Sequence, residues 1–330
     1  MEKANQNRKR PLRYLSVALL IVLLVASALI FLKIWEERQS KFPETVFNEE
    51  FVEVDGKKYV LKDNVETFLV LGLDKYEGQA QGDSYNNDKQ SDFLMLFVFD
   101  KDAQKCTAIH INRDTMVDVN VLGVAGNKVD TVTKQIALAH TYGNGRDVSC
   151  RNAADSVSRL LYGIKVNHYA SFVLDSVAVM NDLVGGVEVT VQDDFSGIDD
   201  TLIKGETVTL KGEQALRYVR TRYGLEDSSN STRMARQQQY INALREKFNQ
   251  CVDEDQNFIV DSSIKMSDYI ISDRSVTQLQ ELSRKFNEYE FGGIYDIEGE
   301  SEQGVEFMEF YPDRESLEKT VVELFYDAVE

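Results

Sequence analysis

Between residues 217 and 236 the chain carries Arg217, Arg220, Arg222, Arg233 and Arg236 against Glu226 and Asp227, with no lysine. Arginine's planar fork grips two phosphate oxygens at once, which a lysine ammonium does not. A cluster built from arginine therefore suits an oligophosphate. Arg220 and Arg222 stand two apart in a segment that reads as a strand near Tyr218–Arg222, so both would project from one face. Arg233, Arg236, Gln237 and Tyr240 share one side of a helix predicted over Thr232–Phe248 with Ser231 as N-cap. Met234, Ile241, Leu244 and Phe248 line its opposite side. Arg233 and Arg236 also fall near the helix N-terminus, where backbone N–H groups attract anions. From spacing alone, the ordinary use of such residues is a salt-bridged structural face.

Asp74 ends the first core strand and Asp92 begins the second, with residues 75–91 between them. If the first three core strands form an antiparallel meander, one sheet edge gathers Asp74, Asp92 and the Arg113-Asp114-Thr115 triplet. Two carboxylates facing an arginine suit a magnesium ion beside a phosphate. Asp74 and Asp92 are thus the candidate metal ligands. The commonplace alternative is that aspartates and arginines simply favour strand ends.

The elements that must position these residues alternate. Thr67–Leu73, Phe93–Phe99 and Cys106–Asn112 read as strands. Val129–Tyr142 and Arg151–Tyr162 have helical spacing. Val166–Val173 reads as a strand, Asp175–Val184 as a helix and Val187–Gln192 as a strand. Gly212–Arg217 reads as a short helix, and Val276–Phe286 and Glu315–Val329 as helices. The fold class is α/β, an α/β/α sandwich around a central mixed sheet.

Leu15–Leu32 is an uncharged run that spans about 27 Å as a helix, close to the ~30 Å of a bilayer core. Arg8, Lys9, Arg10 and Arg13 precede it and hold the N-terminus in the cytoplasm. No small-residue cleavage site follows, which favours a retained anchor over a signal peptide. The predicted organisation is a cytoplasmic tail (1–14), a transmembrane helix (15–35), a stalk with a possible hairpin (36–65) and an extracellular domain (66–330). That domain divides into a core, 66–250, and a C-terminal helical extension, 251–330.

The net charge of −18 disfavours nucleic acid as a partner. The basic tail makes the remainder more acidic still, so the arginine cluster is conspicuous. The chain has no nucleophile elbow, Walker loop, dinucleotide fingerprint or kinase set. His110, His140 and His168 read as structural. Cys106, Cys150 and Cys251 match no zinc spacing; a Cys106–Cys150 disulfide and two buried thiols are equally allowed.

Seven segments occur in a fixed order: FLVLGLD (68–74), SDFLMLF (91–97), INRDT (111–115), HTYGNG (140–145), LVGGVEV (183–189), LKGEQALRYVRTR (210–222) and RMARQQQ (233–239). With a single N-terminal anchor, they resemble the LytR-CpsA-Psr family of bacterial cell-wall assembly enzymes. The resemblance implies a membrane-anchored, magnesium-dependent phosphotransferase. Such an enzyme moves a glycopolymer, with its phosphate, from a polyprenyl-pyrophosphate carrier to peptidoglycan. The polymer, teichoic acid or capsule, is left open. Carried over, the family's metal aspartates fall on Asp74 and Asp92. Its catalytic and pyrophosphate-binding residues fall on Asp92, Arg113, Arg220, Arg222, Arg233, Arg236 and Gln237. Asp92 is the first choice for general base.

Three positions depart from the family pattern. Asn112 replaces a proline, with little consequence expected. Gln135 stands where a lysine is usual, which removes one basic contact. Asn230-Ser231-Thr232 replaces Asp-x-Gly, so the loop 223–232 is expected to close differently. Two other readings use the same charges. One is a non-catalytic protein that holds lipid-linked glycans. The other is a pyrophosphatase acting on the same lipid.

Overall fold

The computed structural model describes residues 51–54, 57–73 and 90–329. The predicted tail, the anchor, most of the stalk and Asp74 lie outside them. Among the described residues no helix is long and apolar enough to cross a membrane. The elements run β1 (Phe51–Val54), β2 (Lys57–Leu61), β3 (Val65–Leu73), β4 (Ser91–Asp100), β5 (Lys105–Ile111), β6 (Met116–Leu122) and β7 (Lys128–Gln135). A 3-10 turn (Ile136–Thr141) leads to α1 (Asp147–Leu160), β8 (His168–Val173), α2 (Ser176–Leu183), β9 (Val187–Thr190) and β10 (Thr207–Leu210). Then come α3 (Glu213–Arg220), α4 (Asn230–Glu254), α5 (Phe258–Met266), β11 (Ile270–Ser272) and α6 (Val276–Glu288). The chain closes with β12 (Glu290–Asp296), β13 (Gly299–Gln303), β14 (Met308–Pro312), α7 (Arg314–Phe325) and β15 (Tyr326–Ala328).

Six strands form the central mixed sheet, in the order β11-β8-β3-β4-β5-β12. β3, β4 and β5 pair antiparallel, with Leu71 opposite Leu94 and Leu94 opposite Ile111. This is the expected meander. β8 joins β3 in parallel, and β12 joins β5 in parallel. Side-chain alternation along the strands separates two apolar faces. Leu69, Leu71, Leu94, Leu96, Ile109 and Ile111 pack on one, against α1 and α7. Phe68, Phe97, Phe99 and Cys106 lie on the other, against α6.

Several elements differ from those expected of the sequence. Residues 128–135 form the exposed strand of a hairpin with the largely buried β6, and only 136–141 coil. A polar strand in a two-stranded hairpin lacks the strict alternation that a half-buried strand shows. Residues 218–220 end α3, so Arg220 and Arg222 do not share a strand face. Ser229, not Ser231, caps α4; its hydroxyl accepts from the Thr232 amide at 3.2 Å. The C-terminal third is not solely helical, because it supplies both edge strands of the central sheet. The expected hairpin over 51–60 is present, and β15 adds to it beside β2.

Cys106 and Cys150 are free and lie on opposite faces of the sheet. Burial pushes their thiols up, to about 12 and about 11. Only the half-buried Cys251 should react with a thiol reagent in the native protein, and all three should react in denaturant. Prompt native labelling of Cys106 or Cys150 would contradict this packing.

Candidate functional site

The meander brings Asp92, at the start of β4, against Arg113, just beyond the end of β5. Arg113 Nη1 donates to Asp92 Oδ1, and Nη2 donates to Gln90 Oε1 at 2.5 Å. Its Nε lies 3.5 Å from Asp114 Oδ1. Asp114 is buried, which raises its carboxyl above the usual range, while Arg113, Arg222 and Arg233 pull the other way. Gln135 Nε2 donates to Asp114 Oδ1 at 2.8 Å and to the Met308 carbonyl at 2.7 Å. One carboxylate thus sits among three arginines and a fixed amide.

Asn112 has a larger part than its place in the motif suggested. Its Oδ1 accepts from the Asp114 amide at 2.9 Å and from Asn230 Nδ2 at 2.7 Å. Asn230 Oδ1 in turn accepts from Arg233 Nη2 at 2.5 Å. This chain ties the turn after β5 to the first turn of α4, so the Asn230-Ser231-Thr232 departure closes through Asn112. No charge pattern marks either amide, so the sequence gives them no prominence.

The predicted arginines divide. Arg233 is buried, with Nη2 3.4 Å from the Asp92 carbonyl. Arg222 faces Asp114 electrostatically and lies over the Tyr223 ring, 4.6 Å from its centroid. Arg220 is exposed on the last turn of α3. Arg236 is turned away from the edge. It is 1% exposed, pairs with Asp193 at 3.0 Å, donates to the Thr221 carbonyl and packs over the Phe195 and Tyr218 rings. Gln237 donates to the Val219 carbonyl at 3.2 Å and bonds to the His110 ring. Arg236 therefore holds α3 against α4, and Gln237, besides tying α3 to the sheet, also lines the apolar cavity described below. Their helix side was legible, but their depth was not.

His110 is the support behind this edge. Burial and the Arg233 charge push its pKa down to about 3, so it is neutral at pH 7. Gln238 bridges its Nδ1, at 3.2 Å, to Asp296 at the end of β12. The edge strand thereby reaches α4 through polar contacts.

An apolar cavity of about 380 Å³ opens beside the charged edge, between the sheet and helices α2, α4, α5 and α6. Phe93, Met95, Phe97 and Phe99 of β4 line it in succession. Six residue steps at about 3.3 Å make that floor roughly 20 Å long. Gly72 lies at the end near Asp92, where a Cβ would come within 2.8 Å of Phe93 Cβ. Among the described residues no cluster of three metal-ligating side chains occurs. Asp92 offers a hard oxygen donor, but its Oδ1 already accepts from Arg113; magnesium commonly takes one or two carboxylates plus phosphate oxygens.

Fold and site together define a mixed α/β protein with an arginine-rich sheet edge beside an apolar cavity. The sequence profile of the LytR_cpsA_psr family matches residues 31–320, and the chain belongs to that family. The polyisoprenyl-teichoic acid–peptidoglycan teichoic acid transferase TagU of Enterococcus faecalis is 31% identical over 202 residues, 60% of this chain and 59% of its own. The cell wall biosynthesis protein LcpA of Corynebacterium glutamicum is 31% identical over 180 residues, 49% of this chain and 33% of its own. The matched region thus covers less than two thirds of either relative. Crystalline B. subtilis TagT has the same fold, with a TM-score of 0.58 at 20% identity, over 85% of this chain and 97% of that one. TagT bound to LI-WTA gives 0.59 at 22% identity, over 86% and 98%.

The placement of Arg236 has a direct consequence. Arg236→Met should leave Asp193 without its cation and cost about 3–5 kcal/mol, as breaking a buried ion pair does. Chemical denaturation measures this; a loss under 1 kcal/mol would return Arg236 to the open edge.

Proposed function

We propose that the protein transfers a glycopolymer, with its attached phosphate, from a polyprenyl-pyrophosphate carrier to peptidoglycan. The observation that carries this is that the cavity begins beside the charged edge: Phe93, which lines it, follows Asp92 in β4, and Gln237 of α4 lines it too. A ligand that matches both has a pyrophosphate at one end and a long hydrocarbon at the other. In this reading the pyrophosphate sits among Arg113, Arg222 and Arg233, with Arg220 at the rim, and the prenyl chain lies along Phe93–Phe99. The relatives' names, a teichoic acid transferase and a cell wall biosynthesis protein, support the same reading.

A sugar hydroxyl of the acceptor attacks the phosphorus bonded to the glycan. The new O–P bond replaces the bond to the bridging oxygen, and polyprenyl phosphate leaves. The hydroxyl proton passes to a carboxylate at this edge. Asp92, partly open, is our first assignment, and Asp114 deeper in the site holds Arg113 in place. Positioning and charge neutralisation supply most of the rate in such transfers. Magnesium, held by Asp92 together with Asp74, would add a further fixed positive charge at the pyrophosphate. We also propose that residues 15–35 anchor the chain in the bacterial membrane, with the N-terminus in the cytoplasm and the domain outside.

Arg222→Lys tests the anion site, because lysine keeps the charge but loses the fork. Turnover with a short-chain lipid-pyrophosphate sugar and a peptidoglycan acceptor should fall by roughly 30-fold or more, at about 1.4 kcal/mol per tenfold. The melting temperature should stay put. Turnover near wild type would remove Arg222 from the site. Product analysis without acceptor separates the rivals: released sugar phosphate marks a pyrophosphatase, and no product under either condition marks a binding protein.

A further inference from the structure

The apolar cavity has a cation in its wall far from the charged edge. Arg245 of α4 lines it, with its Cζ 4.5 Å from the Phe291 ring centroid and 5.4 Å from that of Phe286. Those rings mark the end remote from Asp92. Phe291 pairs across the sheet with Cys106, which pairs with Phe99. Phe286 meets Phe97 edge-on, with centroids 5.4 Å apart. Helix α4 spans the same distance. Arg233 approaches the Asp92 carbonyl, and Arg245 follows it by roughly 18 Å of helix at ~1.5 Å per residue. That is close to the length of the floor from Phe93 to Phe99, roughly 20 Å. Among the described residues Arg245 forms no ion pair, and its buried Nε meets no hydrogen-bond partner. No carboxylate therefore accounts for its position.

An arginine side chain has two parts. Its methylene stem continues an apolar wall, while its guanidinium keeps water on one side and aromatic faces on the other. Hydrocarbon pushed past the guanidinium would strip that water and offer no hydrogen bond in return. We infer that Arg245 is the end-stop of the cavity and sets the length of hydrocarbon that the site encloses. It is a specificity-determining residue: a chain gains affinity from each carbon up to the stop and none from carbons beyond it. The inference rests on the transferase reading, which lays a prenyl chain along Phe93–Phe99. Because Arg245 has no acidic partner, its removal leaves no buried charge unpaired, and the stop can be taken out of a folded protein.

Full-length protein in lipid nanodiscs, wild type and Arg245→Ala, would be titrated with n-alkyl phosphates of about 8 to about 18 carbons, lengthened by about two carbons at a time. Partition of each probe into the disc is common to both proteins, so the difference between them reads the cavity. With wild type, each step should tighten binding by roughly tenfold until the tail reaches Arg245, and longer tails should add nothing. With Arg245→Ala the increments should run on for about two further steps, the reach of the missing side chain. Arg245→Met, which refills the space, should end them where wild type does. The melting temperatures should agree. The same limit in wild type and Arg245→Ala overturns the stop, and so does an affinity that ignores chain length in both. A prenyl pyrophosphate that fails to bind wild type, while the alkyl series shows the shifted limit, overturns the donor reading and leaves the stop in place.

Discussion

The register of the β3–β4–β5 meander is the constraint on which the site depends. With Leu71 opposite Leu94 and Leu94 opposite Ile111, the even residues of β4 face α1 and α7 while Phe93, Met95, Phe97 and Phe99 face the cavity. The same register brings Asp92 and Arg113 together at one edge. A slip of one residue would turn the cavity floor into the opposite core and separate the ion pair. Burial on both faces is what prevents the slip, since either displaced set would expose several large apolar side chains. Packing far from the charged edge therefore sets its geometry.

Around that edge the protein holds charge with neutral polar groups. Asn112 and Asn230 link the turn after β5 to α4, and Gln237, Gln238 and His110 seat α4 on the sheet. A neutral His110 suits this role, because a second cation beside Arg233 would work against the arginine cluster. Buried polar networks of this kind hold position only when each member is partnered. Gln135 extends the support to the β13–β14 hairpin, so the C-terminal part of the chain is joined to the site.

Much of this was legible in the sequence where periodicity was strong. The apolar runs of β3, β4 and β5 gave the meander, and with it the meeting of Asp92 and Arg113. The family motifs pointed to Arg222 and Arg233. Depth was not legible: Arg236 lies on the expected helix side yet is sealed against Asp193, and nothing in its spacing separates a ligand from a buttress. Strand β12 was hidden by its Gly292-Gly293 pair, which reads as a break. The stretch over 129–142 read as a helix because a polar hairpin strand shows no clean alternation. Asn112 looked inconsequential because its partners come from residues 114 and 230.

In the proposed function, one amphiphilic ligand occupies both the arginine edge and the apolar cavity. Calorimetric binding of a prenyl pyrophosphate, compared with inorganic pyrophosphate and with the matching prenyl alcohol, tests it directly. Two halves joined in one ligand bind with a large effective-concentration advantage. The intact lipid should bind at least ~100-fold more tightly than either half, since each half reports only part of the site. An intact lipid no tighter than the better of its two halves would contradict it.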